Sequence, residues 1–324
     1  MGTMRLVLDV RGQVLPTEVS VDRLGELLAD HGNRLWLDIS DPGPEEVELL
    51  RREFGFHELT LEEVTRPHER PRCDAHGGYY FVVVYAAEHT GSAFWPRELN
   101  LFWAENYLVT IHRRPAAVLT LLEEARRRWE QHEDRHDYGV ACLAYTLFES
   151  LVDGYFAVED RVRERMERIE SAILEGEGGA AADLYRLRKE LLQVPRLLAP
   201  TSHVLAEVLR RKQAIPDGLR PYFADVQDHA LHVLAEMDTY RDLLAAALDV
   251  HVFYAFNRLG LIMKRLTAVT VIIMVPNFVA SIYGMNFDYL VPSSHWKYGF
   301  VAVVAFLGCM VAWGFIHSRL LRWL

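Results

Sequence analysis

Apolar positions along the stretch from Tyr222 to Asn286 follow one rhythm and then another. Phe223, Val226, Ala230, Val233, Met237, Tyr240, Leu244 and Ala247 recur at alternating steps of three and four, the spacing that keeps one helical stripe against a helical partner. After Lys264 and Arg265 the run LTAVTVIIMVPNFVASIYGMN holds no ionisable group except Tyr283. Its roughly 20 residues, at about 1.5 Å each, match a hydrocarbon core of about 30 Å. Read as one helix from Tyr222 to Asn286, the element is on the order of 100 Å long, too long for one globular domain, and is expected to join a soluble part to a membrane part.

A second uncharged run, Tyr298 to Ile316, is about 19 residues long and predicts a second span after a short loop at 287–297. Arg258, Lys264 and Arg265 precede the first span and Arg319 and Arg322 follow the second, so the positive-inside rule puts both termini in the cytoplasm and only the loop outside. Upstream, Met4 to Val10, Leu35 to Ile39, Tyr79 to Ala86, Leu99 to Trp103 and Tyr107 to His112 read as strands. Pro44, with Glu45 and Glu46 behind it, opens a helix through Phe54. Strands interleaved with helices predict an α/β domain over 1–115. Highly charged helices follow over 116–220, with a hairpin turn at Gly176 to Gly179. A stalk at 221–265, spans at 266–286 and 298–316, and a basic tail at 317–324 complete an α+β membrane protein.

The mean hydropathy of +0.00 conceals a segregation. Of 35 basic and 45 acidic residues, five bases and one acid lie beyond Gly260, leaving about 30 against 44 upstream. An acidic soluble part disfavours nucleic acid and suits cations, although such charge runs are commonly solvated surface. Cys73, Cys142 and Cys309 show neither CxxC spacing nor a disulfide framework, which fits reduced thiols. MGTMRLVLDV has no secretory apolar core, and its sixth residue is not Ser or Thr, so neither export of the soluble part nor myristoylation is expected.

Two spans cannot enclose a water-filled path alone, so transport requires several copies around an axis. Met263, Leu266, Thr270, Met274, Asn277 and Ser281 form a softer, more polar stripe on the first span. Helix packing accounts for small and polar residues in part, but an amide at membrane depth, Asn277, calls for a partner or water. The run Met263-Lys264-Arg265-Leu266-Thr267, then Pro276, then Tyr283-Gly284-Met285-Asn286-Phe287, resembles the signature of the CorA-type magnesium and cobalt transporters. The likeness extends through WLDISDPGPEEVELLRREFGFHELTLEEV, HERPRCDAHGGYYFVVVY, LVDGYFAVEDRV and PYFADVQDH.

That resemblance implies a funnel-shaped homopentamer in the cytoplasmic membrane. Mg²⁺, with Co²⁺ or Ni²⁺ as further ions, would be carried inward past Gly284, Met285 and Asn286. Leu266, Thr270, Met274, Asn277 and Ser281 would line the pore. It further implies regulatory Mg²⁺ between subunits at Glu62, Glu63, Asp225, Asp228 and His229, with Glu149 and Asp153 contributing, and Asp249 as a weaker candidate near the membrane. No organic cofactor and no enzymatic chemistry are expected: no GxxxxGK[ST] occurs, and no nucleophile stands beside the acids. Two positions depart from the family pattern. The outer loop reads Tyr289-Leu290-Val291-Pro292-Ser293-Ser294 in place of an acidic Met-Pro-Glu-Leu, leaving Asp288 as its sole carboxylate. Gly260 stands where some relatives carry Asn, with Asn257 one turn earlier. A zinc-transporting branch of the superfamily and a non-transporting coiled-coil scaffold are the alternatives.

Overall fold

The computed structural model describes residues 3–10, 13–16, 24–30, 32–66, 70–90, 93–113, 116–131, 137–175, 179–211, 214–285 and 298–320. These form two compact units, Met1–Ala246 and Ala247–Leu324. The first contains strands β1 (Thr3–Val10), β2 (Gln13–Pro16), β3 (Asn33–Ser40), β4 (Arg72–His76), β5 (Tyr79–Thr90), β6 (Ala93–Trp103) and β7 (Tyr107–His112). Its helices are α1 (Leu24–Ala29), α2 (Pro44–Phe54), α3 (Glu58–Val64), α4 (Ala116–Gln131), α5 (Val140–Glu175) and α6 (Ala180–Arg210). Helix α7 is unbroken from Arg220 to Tyr283 and is followed by α8 (Gly299–Leu320).

The strands make one seven-stranded sheet in the order β2-β1-β3-β7-β6-β5-β4. Its β3–β7 pair is parallel and the other described pairs are antiparallel. Neighbouring side chains on β6 show that both faces are covered, because successive residues of a strand point to opposite sides. Phe102 stacks on Phe56, between α2 and α3, at 4.0 Å between ring centroids. Trp103 stacks on Phe223 of α7 at 6.1 Å. Strand β7 is accordingly apolar almost throughout, with Leu108, Val109 and Ile111 buried. The polar exceptions pair across to β3: Trp36 Nε1 donates to Thr110 Oγ1 at 3.1 Å, Thr110 Oγ1 donates to Asp38 at 2.6 Å, and His112 lies 3.3 Å from Asp38.

Local chemistry explains the helix ends that the chain pattern signals. Pro44 occupies the first turn of α2, the Gly43 N–H donates to Glu46 Oε2 at 2.8 Å, and Gly55 closes the helix at φ 64°. Helix α3, which lacks an apolar period long enough to announce it, starts where the Leu59 N–H donates to His57 Nδ1 at 3.2 Å.

All eight residues of the three-and-four stripe, Phe223 through Ala247, are buried. Helix α5 is apolar enough to pass as a membrane span by composition, yet 72% of its most apolar window is buried inside the protein, so it is a core helix. Helices α5 and α6 are pinned by a buried ion pair, Arg165 to Glu190 at 2.6 Å.

Helix α7 begins two residues before the expected start and stops at Tyr283, short of Asn286. The Gly284 N–H donates to Ala280 O at 3.0 Å and Ser281 O at 3.2 Å, closing the last turn. Helix α8 runs to Leu320, four residues past the expected end of the second span. In the second unit, a Cβ on Gly314 of α8 would lie 3.0 Å from Ile272 Cγ1 of α7, so this glycine permits the two helices to approach closely.

Candidate ion pathway and acidic metal sites

At about 100° per residue, Leu266, Thr270, Met274, Asn277 and Ser281 fall within an arc of about 80° on α7. All five are exposed in the single chain. The two hydroxyls are turned onto their own helix: Thr270 Oγ1 donates to Leu266 O and Ser281 Oγ to Asn277 O, each at 2.8 Å. Their oxygens keep acceptor capacity, so the stripe presents a thioether, an amide and two hydroxyl oxygens along an otherwise hydrocarbon helix. Gly284 and Met285 follow at the helix end, Met285 being 58% exposed. Asn286 and Asp288 lie outside the described residues.

The acidic candidates belong to the first unit, except Asp249, and are not gathered into one site. Among the described residues no group of three His, Cys, Asp or Glu side chains is placed to hold a metal ion. Glu62 is exposed, with Arg66 at 4.0 Å. Glu63 is paired with Arg72, which also reaches Asp74 at 3.2 Å. On α7, Asp225 lies 3.9 Å from His229, and Asp228 is exposed beside them. The His229 ring packs edge-on against Phe156 of α5.

Glu149 and Asp153 do meet on one face of α5, and there they share a cation. Arg128 of α4 lies 3.3 Å from Glu149 and 2.6 Å from Asp153. Tyr145 donates to Glu149 at 2.6 Å. Partial burial would weaken the Arg128 charge, but the hydrogen bonds it donates to Glu124 and Asp153 outweigh this and push the guanidinium pKa further up. A metal at Glu149 and Asp153 therefore has to compete with Arg128. The sequence marks neither Arg72 nor Arg128 as a partner of these acids; the local signal at Arg128 is its helical spacing from Glu124.

A polar cavity of about 830 Å³ opens where β3 and β7 end, lined by Asp41, Arg66, Arg97, Glu98, His112 and Arg113 among others. None of the candidate metal acids lines it. The family described as CorA-like Mg2+ transporter protein matches residues 32–321. The chain belongs to that family. A cobalt/magnesium transport protein CorA of Thermotoga maritima is 27% identical over 304 residues, covering 91% of this chain and 85% of that protein. The complete structure of the CorA magnesium transporter from Methanocaldococcus jannaschii superposes with a TM-score of 0.79 at 23% identity, covering 98% of each chain. The ZntB cytoplasmic domain from Vibrio parahaemolyticus matches 79% of this chain with a TM-score of 0.63 at 11% identity, a likeness of fold.

Proposed function

We propose that this chain forms a homopentameric channel in the cytoplasmic membrane, with both termini in the cytoplasm. It would admit Mg²⁺, with Co²⁺ or Ni²⁺ as further ions. The observation that carries this reading is the exposed stripe Leu266, Thr270, Met274, Asn277 and Ser281 on the last part of α7, whose other residues beyond Arg265 are apolar, Thr267 and Tyr283 aside, in a member of the CorA-like family. Helix α7 exposes apolar side chains from Val250 to Ile282, about 50 Å of helix, against a hydrocarbon core of about 30 Å. Lipid cannot cover that length, and neighbouring copies around an axis supply the remaining cover.

Asn286 would present a ring of neutral amide oxygens at the outer mouth. Mg²⁺ holds its water tightly, so such a ring accepts hydrogen bonds from the hydrated ion without stripping it. Rings of Leu266 and Met274 form apolar constrictions that stop flow by dewetting, with Thr270, Asn277 and Ser281 as polar stations between and beyond them. Inward movement of a divalent cation gains about 4.6 kcal/mol per 100 mV, from about 2.3 per charge, roughly 2,000-fold in concentration.

Glu62, Glu63, Asp225, Asp228 and His229 act as half-sites that a neighbouring copy completes, which accords with their dispersal in the single chain. Bound Mg²⁺ relieves the repulsion between them, favours the packed stalk and closes the pore. The outer loop, with Asp288 as its one carboxylate, favours a second reading in which Zn²⁺ is the ion carried. Flux of Mg²⁺, Co²⁺, Ni²⁺ and Zn²⁺ into liposomes holding the purified protein decides the matter. Mg²⁺ entry at the highest rate is expected, Zn²⁺ entry alone would move the chain to the zinc reading, and no flux at all would leave a scaffold.

A further inference from the structure

Helices α5 and α7 lie side by side and run in the same direction, as their ring contacts show. Tyr145 and Phe148 touch Phe223, while Phe156, farther along α5, touches His229 and His232. Both partners advance together, so the register carries Glu159 of α5 to the turn of α7 just beyond His232. Glu159 is 9% exposed, and its Oε2 is buried with no hydrogen-bond partner among the described residues.

From α7 the groups acting on this carboxyl are Glu236 and His232, and from α5 itself Asp160 and Arg163. The Tyr240 hydroxyl, also on α7, feels Glu159 in turn. Burial first, and the Glu236 carboxylate second, hold the Glu159 proton more tightly than in an ordinary carboxyl; His232 and Arg163 oppose without reversing this. Glu159 takes no part in the proposed ion path or in the acidic half-sites.

We propose that Glu159 is a proton-operated latch between α5 and α7: neutral, it rests in the seam, and ionised beside Glu236 it drives the seam open. Opening returns the carboxyl to water, where its pKa falls back to the ordinary carboxyl value and the proton leaves to solvent. Closure by this group is thus complete below the ordinary carboxyl value and is lost as pH rises through the raised one. Between those two values the opening constant grows by up to about tenfold per pH unit. The latch lies wholly within the first unit and is independent of which ion the protein carries.

Hydrogen exchange of the full-length protein in lipid nanodiscs, followed from about pH 5 to about pH 8, tests this. Peptides spanning Glu159 and Glu236 are corrected for the intrinsic pH dependence of exchange and compared with Glu159→Gln and Glu236→Gln. Wild type should open increasingly with pH relative to Glu159→Gln, approaching tenfold per unit at its steepest, while peptides from β5 and β6 stay level. Glu236→Gln should make that rise level off at lower pH, because it removes the repelling carboxylate. Parallel wild-type and Glu159→Gln profiles would overturn the latch. If Glu159→Gln does not fold, an unmoved rise in Glu236→Gln would overturn it equally.

Discussion

The two ends of α7 are built from different residues and meet different surroundings. Up to Ala247 the helix buries one residue in every three or four, and the positions between carry Asp, His, Glu and Arg. Beyond it, Val271, Ile273, Met274 and Phe278 are exposed by 48% to 65%, and among the described residues of the helix Ala268 is the buried apolar one. A narrow stripe suffices where water covers the remaining faces, whereas hydrocarbon on every face requires an apolar environment on every face. Helix α5 sharpens the contrast, since it matches a span in composition but is hidden by its own fold. Composition identifies a span when the apolar surface stays uncovered by the chain itself.

The largest expected effect lies at the membrane end. Asn286→Ala removes the proposed oxygen ring with little packing volume and should abolish selective Mg²⁺ uptake while assembly, checked by size, stays intact; unchanged uptake would remove Asn286 from the filter. Next comes a paired test of the two ends. Phe223, fully buried between Trp103, Tyr145 and Phe148, should cost about 3–5 kcal/mol of first-unit stability as Phe223→Ala. Phe256, 69% exposed, should cost that unit less than about 0.5 kcal/mol. Exchange of β5 and β6 amides reads both, and equal losses would erase the distinction drawn here.

A smaller change is expected at Met274. Met274→Ala widens an apolar constriction and eases wetting, so basal conductance should rise several-fold; a conductance equal to wild type under closing conditions would place the gate elsewhere. Smallest is the response of the stalk acids. Asp225→Lys sets a fixed ammonium among the carboxylates and should make closure less dependent on internal Mg²⁺, whereas Asp225→Ala should move half-inhibition to higher Mg²⁺. Inhibition curves that superpose on wild type for both variants would reduce this surface to solvated charge.

Long periodic elements and dense apolar runs were legible in the chain, as the burial of the whole Phe223 to Ala247 stripe and the bounds of β7 respectively show. The elements β2, α1, α3 and β4 escaped notice because each is short and lacks the apolar run that marks the equally short β7. Their formation depends on neighbours, as with His57 capping α3. The exposed stripe proposed to line the pore was legible as a stripe because one helix carries all of it. The cations facing the candidate acids were not: Arg72 reaches Glu63 from β4, and Arg128 reaches Glu149 and Asp153 from α4, and folding alone brings those partners together.

Three features of the first span weaken its own backbone within a short length. Pro276 has no N–H to offer Ile272 O. The Thr270 and Ser281 hydroxyls draw on the carbonyls of Leu266 and Asn277, a habit that bends helices. The segment from Leu266 to Ser281, near the C-terminal end of α7, is therefore more compliant than an unbroken helix. Torque or bending imposed at either end collects there as curvature, at the level of Met274 and Asn277, rather than being shared along the helix.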